Sequence, residues 1–349
     1  MANITDVAKK AGVSISTVSN VINGTKFVGE ELTERVNRAI EELDYQANEL
    51  AASMKRRTTN NIGVILPNIG MVFFPDVLKG IEAAAKEQGY KIFYFSTDYD
   101  FEKEKEYLSL LKTSWVDGII IDSCCPMDEI HTYQETLVSN VAGRNVPVVV
   151  LETPFNHKKL GRITFNEVKF TDEAIEYLIS LGHKDIGILL GPENIPMYTN
   201  NINGIKKAFE RHGIELHSED IMVGDYFAES GYDAVKNAIS QGAKWSAIFS
   251  ANDQMAIGAM KALKEAGLSI PEDVSVIGVD GIYVTSLIDP PLTTVELPKF
   301  DMGYKAGELL LKMIQKPSAK AEHIEMEGKM IIRKSTDKSA AEDWVLTGW

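Results

Sequence analysis

Few residues of this chain are spaced for bond-making chemistry. Its two cysteines, Cys124 and Cys125, are adjacent, and such a pair builds neither a disulfide framework nor a zinc site. Its six histidines, His131, His157, His183, His212, His217 and His323, include no i, i+4 pair, the spacing that sets two imidazoles on one helix face for a metal. His212 and His217 stand five apart across Gly213 and read as a solvated turn. No P-loop, no GxGxxG after a strand, no GxSxG and no HExxH occurs. Neither an enzyme nor a cofactor is expected. The informative side chains lie near the N-terminus. Ile15, Ser16, Ser19 and Asn20 face outward on one short predicted helix. Hydroxyls and amides on a narrow helix can reach base edges in a major groove about 12 Å wide.

That helix needs a scaffold, and the flanking sequence supplies one. Ile4, Val7, Ala8 and Ala11 recur at helical spacing and Gly12 stops the run. Ser14 can cap the second helix, whose inward residues are Val18, Val21 and Ile22, and Asn23-Gly24 ends it. A third helix is predicted from about Glu31 to Leu43, with Leu32, Val36, Ala39, Ile40 and Leu43 inward. The pattern is a helix-turn-helix, although a three-helix domain of another purpose has the same periodicity.

The charge at first argues against nucleic acid. The 349 residues carry 36 Lys+Arg and 50 Asp+Glu, a formal net charge of −14, whereas nucleic-acid domains are usually basic. Divided along the chain, the balance changes. Residues 1–60 hold 8 basic and 8 acidic side chains, so the remainder carries the whole excess. Lys9, Lys10 and Lys26 face only Asp6 within residues 1–29, and Lys55, Arg56 and Arg57 have no acid within residues 50–60. These are two small basic surfaces hidden by the average. An apolar fraction of 44% fits a globular chain. No apolar run approaches the ~20 residues of a membrane span, and MANITDVAKKAG lacks the apolar core of an export signal. A cytoplasmic protein without a membrane partner is expected.

From Asn61 short apolar strands alternate with amphipathic helices. IGVIL (62–66), KIFYF (91–95), GIII (118–121) and VPVVVL (146–151) read as buried parallel strands, with helices near 75–88, 101–113 and 128–140. A second series runs through RITF (162–165), DIGILL (185–190), DIMVGDY (220–226), SAIFS (246–250) and VSVIGV (274–279). The fold class expected is an α-helical helix-turn-helix headpiece plus a two-lobed α/β domain with parallel sheets. The expected boundaries are a headpiece at 1–45, a hinge helix or linker at 46–60, a core at 61–336 and a short tail at 337–349. Within the core, the N-lobe spans about 61–160, the C-lobe about 161–290, and a segment of about 290–334 crosses back. Ligands of open α/β sheets bind at the carboxyl ends of the strands, so two facing lobes make a cleft for a small molecule.

ITDVAKKAGVSISTVSNVING followed by ERVNRAIEELDY resembles the headpiece of the lactose-repressor (LacI/GalR) family of bacterial transcription regulators. LGHKDIGILLGP (181–192), NDQMAIGAMKALKEAGLSIPEDVSVIGVDG (252–281), PPLTTV (290–295) and IIRKST (331–336) resemble its periplasmic-binding-protein-like core. The resemblance covers essentially the whole chain. It implies a homodimer reading a near-palindromic operator. It puts Ile15, Ser16 and Asn20 at base-reading positions and makes Asn3, Thr5, Ser14, Thr17, Ser19 and Asn23 candidates for phosphate contacts. QANELAASMKRRT (46–58) resembles the hinge helix. Met54 stands where the family has a minor-groove Leu wedge, with Lys55, Arg56 and Arg57 near phosphates. The family usually has Arg at the position of Asn20. Arg grips guanine, whereas Asn suits adenine. Asn20→Arg should therefore change the half-site recovered in a selection assay, and an unchanged site would refute the assignment. Gly29 and Leu32-Thr33 replace the usual Ser and Thr-Arg, which removes one helix cap and one cationic phosphate contact.

The same resemblance assigns effector contacts to Phe73, Phe74, Glu152, Asn166, Asn201, Tyr226, Asn252 and Asp280. Aromatic faces with amides and carboxylates suit a polyhydroxylated sugar. The phenylalanines and Tyr226 read equally as core, and Asn252 and Asp280 as turn residues. The family usually has Asp at Asn166 and Arg at Asn201, and that loss disfavours an anionic effector. A neutral sugar is expected, or an oligosaccharide given the further aromatics Phe155, Phe165, Tyr198 and Tyr283. The alternatives are control by a phosphoprotein or an anionic co-repressor. A sugar-binding transport protein shares the two-lobed architecture but would lack the headpiece. The 13 residues after Thr336 are too few for a tetramerising heptad pattern.

Overall fold

The computed structural model describes residues 2–24, 26–45, 58–111, 116–142, 146–318 and 320–341. The expected hinge residues Met54, Lys55, Arg56 and Arg57, and the tryptophans of the tail, lie outside the described residues. The chain forms two compact units, residues 1–59 and 60–349.

In the first unit, α1 (Ile4–Ala11) starts at Asn3, whose Oδ1 accepts the Thr5 and Asp6 N–H groups at 2.8 and 3.2 Å. Asp6 accepts the Asn3 N–H at 2.9 Å in return. This reciprocal pairing satisfies donors that a helix start leaves open. Gly12 (φ 65°) ends the helix in the left-handed region. Ser14 caps α2 (Ile15–Asn23), while α3 (Glu30–Glu42) starts on Gly29 with no side-chain cap, as the sequence implied. Val7, Ala8, Ala11, Val18, Val36 and Ala39 make the small core. Leu32, expected inward, is 37% exposed. It lies one turn before Val36, where α3 has run past the edge of that core.

The second unit holds two six-stranded sheets. In the first, the order is β11 (His323–Met326), β5 (Leu160–Phe165), β4 (Val148–Leu151), β3 (Gly118–Asp122), β1 (Asn61–Leu66), β2 (Lys91–Ser96), all parallel. In the second it is β12 (Lys329–Ile331), β10 (Thr293–Glu296), β9 (Ser275–Asp280), β8 (Ala247–Ser250), β6 (Ile186–Leu190), β7 (Ile221–Val223), with only β12 antiparallel. The inner strands β1, β3, β4, β6, β8 and β9 are buried on both faces, hence their continuous apolar runs. On β1, for example, Ile62, Val64 and Leu66 face one core and Ile65 the other.

Two assignments change here. RITF, expected to open the second lobe, is β5 of the first sheet. A parallel partner usually needs a crossover of a dozen residues or more, but β4 and β5 are joined by residues 152–159 without a helix. That short link reads in sequence as a domain break. The final segment also crosses more than once. After β10 in the second sheet, α11 (Lys299–Gln315) packs on α4 (Phe73–Glu87) of the first lobe. Then β11 joins the first sheet and β12 the second. With the passage from β5 into α7 (Glu167–Ser180), three segments connect the lobes.

The α4–α11 contact depends on glycine. A Cβ on Gly303 would lie 1.9 Å from the Val77 carbonyl oxygen, and one on Gly80 2.0 Å from that of Phe300. The two backbones touch at both points, which fixes the start of α11 against the first lobe. Among the described residues no helix is long and apolar enough to cross a membrane.

Candidate functional site

The headpiece presents its polar groups at the start of α2. Ile15 (47% exposed) and Ser16 are exposed, and Thr17, Ser19 and Asn20 are half-buried. Ser14 Oγ lies 2.8 Å from Ser16 Oγ and 2.9 Å from Thr17 Oγ1, and it accepts the Thr17 N–H at 3.1 Å. Three expected contact residues thus share one hydroxyl cluster at a helix N-terminus, where the dipole favours an anion. Asn3 and Thr5 are exposed at the start of α1, with Asn3 Oδ1 engaged in its cap. Asn23 ends α2.

In the second unit a cavity with about 960 Å³ of empty space, including solvent at its mouth, lies at the carboxyl ends of both sheets. Of the expected contacts, Phe73, Phe74, Glu152, Tyr226, Asn252 and Asp280 line it. Glu152 follows β4, Asp280 ends β9, and Asn252 follows β8 as N-cap of α10 (Asp253–Glu265). Asn252 also serves structure, as expected of a turn residue. Its Oδ1 accepts the Met255 N–H at 2.9 Å and its Nδ2 donates to the Tyr226 carbonyl at 2.8 Å. Tyr226 needs that hold, because its φ is 73°. Tyr99, Glu152 and Asp280 also line the cavity at positive φ, 61°, 51° and 113°. Such strain persists where the surroundings over-determine it, and it clusters at binding sites.

Asn166 and Asn201 are not among the lining residues. Asn166 caps α7 and donates to Glu325 Oε1 at 2.9 Å, on the β11 side of the first sheet. Asn201 is 1% exposed inside α8 (Pro196–His212), accepting from Thr171 Oγ1 at 2.9 Å and donating to the Met197 carbonyl at 2.7 Å. It ties two helices together. Of the further aromatics, Phe165 lines the cavity, whereas Phe155 is buried beneath the first sheet.

The cavity adds two carboxylates that the sequence reading passed over, Asp122 and Glu167. Asp122 ends β3 as Asp280 ends β9, so the rule that ligands sit at the carboxyl ends of the strands points to Asp122, although the resemblance supplied only Asp280. Glu167 follows β5 as the first residue of α7 and accepts from Asn200 Nδ2 at 2.6 Å. Burial raises all four acids above the ordinary carboxylate range, reinforced at Asp122, Glu152 and Asp280 by neighbouring acids. Burial likewise raises the Tyr99, Tyr226 and Cys124 groups, so the thiol is held protonated and unreactive. Among the described residues two hydrogen bonds join the lobes near the mouth: the Val72 N–H to Gln254 Oε1 at 3.1 Å and the Met127 N–H to the Asn194 carbonyl at 3.4 Å.

Glu167 gives a pH signature, its pKa being pushed from 4.5 to about 7. The folded chain keeps a proton there that the unfolded chain releases. This contribution to stability is complete below the unfolded value and is lost as pH rises through about 7. Between about pH 5 and pH 8 the wild-type melting temperature should therefore fall relative to that of Glu167→Gln. Parallel melting curves would contradict the shift.

A headpiece with polar groups at a helix N-terminus, and a two-lobed domain closing on an acid- and aromatic-lined cavity, define a ligand-binding regulator. Known proteins agree. Residues 3–48 match the bacterial regulatory proteins of the lacI family, and residues 175–336 match the periplasmic-binding-protein-like domain. The chain is 36% identical over 335 residues to the HTH-type transcriptional repressor PurR of Pasteurella multocida (strain Pm70), covering 96% of this chain and 98% of that one. The lac repressor dimer bound to operator and the anti-inducer ONPF superposes with a TM-score of 0.83 at 28% identity, covering 96% of this chain and 99% of the other. The transcriptional regulator CelR in complex with cellobiose superposes with a TM-score of 0.71 at 25% identity, covering 96% and 100%. This chain belongs to the LacI family of bacterial transcription regulators. It is a DNA-binding repressor-type regulator with an effector-binding domain, and its relatives are regulators rather than enzymes.

Proposed function

We propose that this chain is a homodimeric repressor that releases a near-palindromic operator when a sugar binds between the lobes. Ile15, Ser16 and Asn20 read bases, and Asn3, Thr5, Ser14, Thr17, Ser19 and Asn23 hold phosphates. Met54, Lys55 and Arg56 engage the minor groove and its edges. The observation that carries the effector reading is the cavity lining. Glu152, Asp280 and Asn252 offer hydrogen bonds around the faces of Phe73, Phe74 and Tyr226. Aromatic faces stack on the C–H side of a pyranose, and carboxylates accept its hydroxyl hydrogens. Among the described residues no Lys or Arg lines the cavity, which disfavours an anionic effector. The cellobiose complex of CelR and the operator-bound lac repressor dimer support the sugar and the two-fold assembly by analogy.

Sugar binding would shift the lobes, and that shift would separate the paired hinges. Tight operator binding needs both headpieces at once. With a net-neutral headpiece and an acidic core, each alone binds DNA weakly and with steep salt dependence. A thermal-shift screen of mono- and oligosaccharides tests the reading. A ligand at 100 times its Kd adds about 2.7 kcal/mol to the stability of the folded state. If no sugar raises the melting point, the sugar reading fails and the readings of control by a phosphoprotein or an anionic co-repressor gain.

A further inference from the structure

The first sheet carries a second opening, with about 950 Å³ of empty space including solvent at its mouth. It lies at the amino ends of β5 and β11, where Leu160, Arg162 and His323 line it. The effector cavity takes Phe165 from the carboxyl end of β5 instead. The link from β4 to β5 reaches both places. Glu152 and Thr153 line the effector cavity, whereas Phe155, His157 and Lys158 line the second opening.

The two differ in charge. Among the described residues no Lys or Arg lines the effector cavity, while Lys158 and Arg162 both line the second opening. Among the described residues no carboxylate forms an ion pair with either of these cations. The acid in the lining, Glu322, is taken by Lys312 Nζ at 2.6 Å. Glu325 acts on Arg162 through space but accepts its hydrogen bond from Asn166.

Arg162 is half-buried on β5 and fixed at one end. Its Nη1 donates to the Phe155 carbonyl at 2.7 Å, and its Nη2 lies 3.2 and 3.1 Å from the two ring nitrogens of His323. Its Nε is buried with no hydrogen-bond partner. A buried donor left open costs stability, and a bound ion is one of the things that resolves it. His157 adds a donor. Its Nδ1 accepts the Lys159 N–H at 3.2 Å, which places the hydrogen of the neutral ring on Nε2. His323 adds no charge, because burial and the Arg162 guanidinium hold its pKa below the ordinary value. A carboxylate would answer one of the two unpaired cations. A phosphoryl dianion answers both, and its oxygens suit the planar fork of an arginine with a lysine beside it.

We propose that this opening is a second ligand site, for a phosphoryl dianion held by the Nε–Nη2 edge of Arg162, by Lys158 Nζ and by His157 Nε2. Binding there displaces the exposed His323 ring from Nη2. The site is separate from that of the effector, and it stands whether or not the sugar reading does.

Calorimetric titration of the full-length protein with inorganic phosphate, glycerol 3-phosphate and acetate, at about pH 8 where the phosphates are dianions, tests this. Both phosphates should bind saturably and acetate at least about tenfold more weakly, as the loss of a charged hydrogen bond allows. A tighter ester marks an organic phosphate as the ligand and equal affinities mark phosphate itself; either supports the site. Arg162→Gln and Lys158→Glu should each weaken phosphate binding at least about tenfold. Phosphate held by the headpiece would survive both substitutions, so the loss assigns the binding to this opening. A melting curve shows whether Arg162→Gln is folded. If it is not, Lys158→Glu, at an exposed position, decides. If phosphate does not bind, binds no better than acetate, or binds a folded variant as tightly as wild type, the proposal falls.

Discussion

Asn252→Ala should lower the unfolding free energy of the core by about 3 kcal/mol and weaken effector binding by more than about tenfold. Asn252 is 3% exposed and uses both ends of its amide. Alanine removes the N-cap of α10, worth about 1 kcal/mol. It also leaves the Tyr226 carbonyl buried without that partner, at about 1–3 kcal/mol before relaxation. Tyr226 would then lose the contact that holds its left-handed backbone, and its ring forms part of the cavity wall. Chemical denaturation reads the first effect and a ligand titration the second. Asn252→Asp keeps the accepting oxygen for Met255 but cannot donate to Tyr226, so it should fall between. Wild-type effector affinity in Asn252→Ala would show that Asn252 and Tyr226 are passive wall.

Gly303→Val should cost more stability, at least about 3 kcal/mol. Overpacking with flexible neighbours costs about 1–3 kcal/mol, but here the obstacle is backbone. The first added carbon would meet the Val77 carbonyl oxygen at 1.9 Å and the Ile81 nitrogen at 3.0 Å. No rotamer relieves that clash, so α4 and α11 must separate. Because α11 begins at Lys299, beside the Asp280 backbone, the separation would also loosen the cavity wall. A denaturation midpoint close to wild type would mean that this helix contact is not needed for the native core.

The helix-turn-helix was legible because each of its elements is short and separately punctuated. Gly12 and Ser14 mark ends that the structure shows, while the Asn3 cap emerges only from the structure. The buried strands were legible as unbroken apolar runs. Their allocation to lobes was not, because β5 follows β4 after a link too short to suggest a crossover, and β11 and β12 are brief strands without apolar runs. The cavity was partly legible. Residues at strand ends, such as Glu152 and Asp280, are placed by the topology itself. Asn201, which the resemblance put at a contact position, is not among the lining residues, because its amide is taken up by Thr171 and the Met197 carbonyl. Asp122 and Glu167 were missed because a single acid after a strand is unremarkable until three others converge on it.

The acidic total charge also has a place in the mechanism. It resides outside the headpiece, and four acidic side chains are gathered in the cavity, where burial raises their pKa values and favours the protonated form. The central claim is that occupancy of this cavity and occupancy of the operator are coupled. The most direct measurement is operator affinity by fluorescence anisotropy, with and without a saturating sugar that raises the melting point of the core. Operator Kd should rise at least about tenfold, a coupling of about 1.4 kcal/mol, and operator should weaken sugar binding by the same factor. A sugar that stabilises the core and leaves operator Kd unchanged would contradict the account.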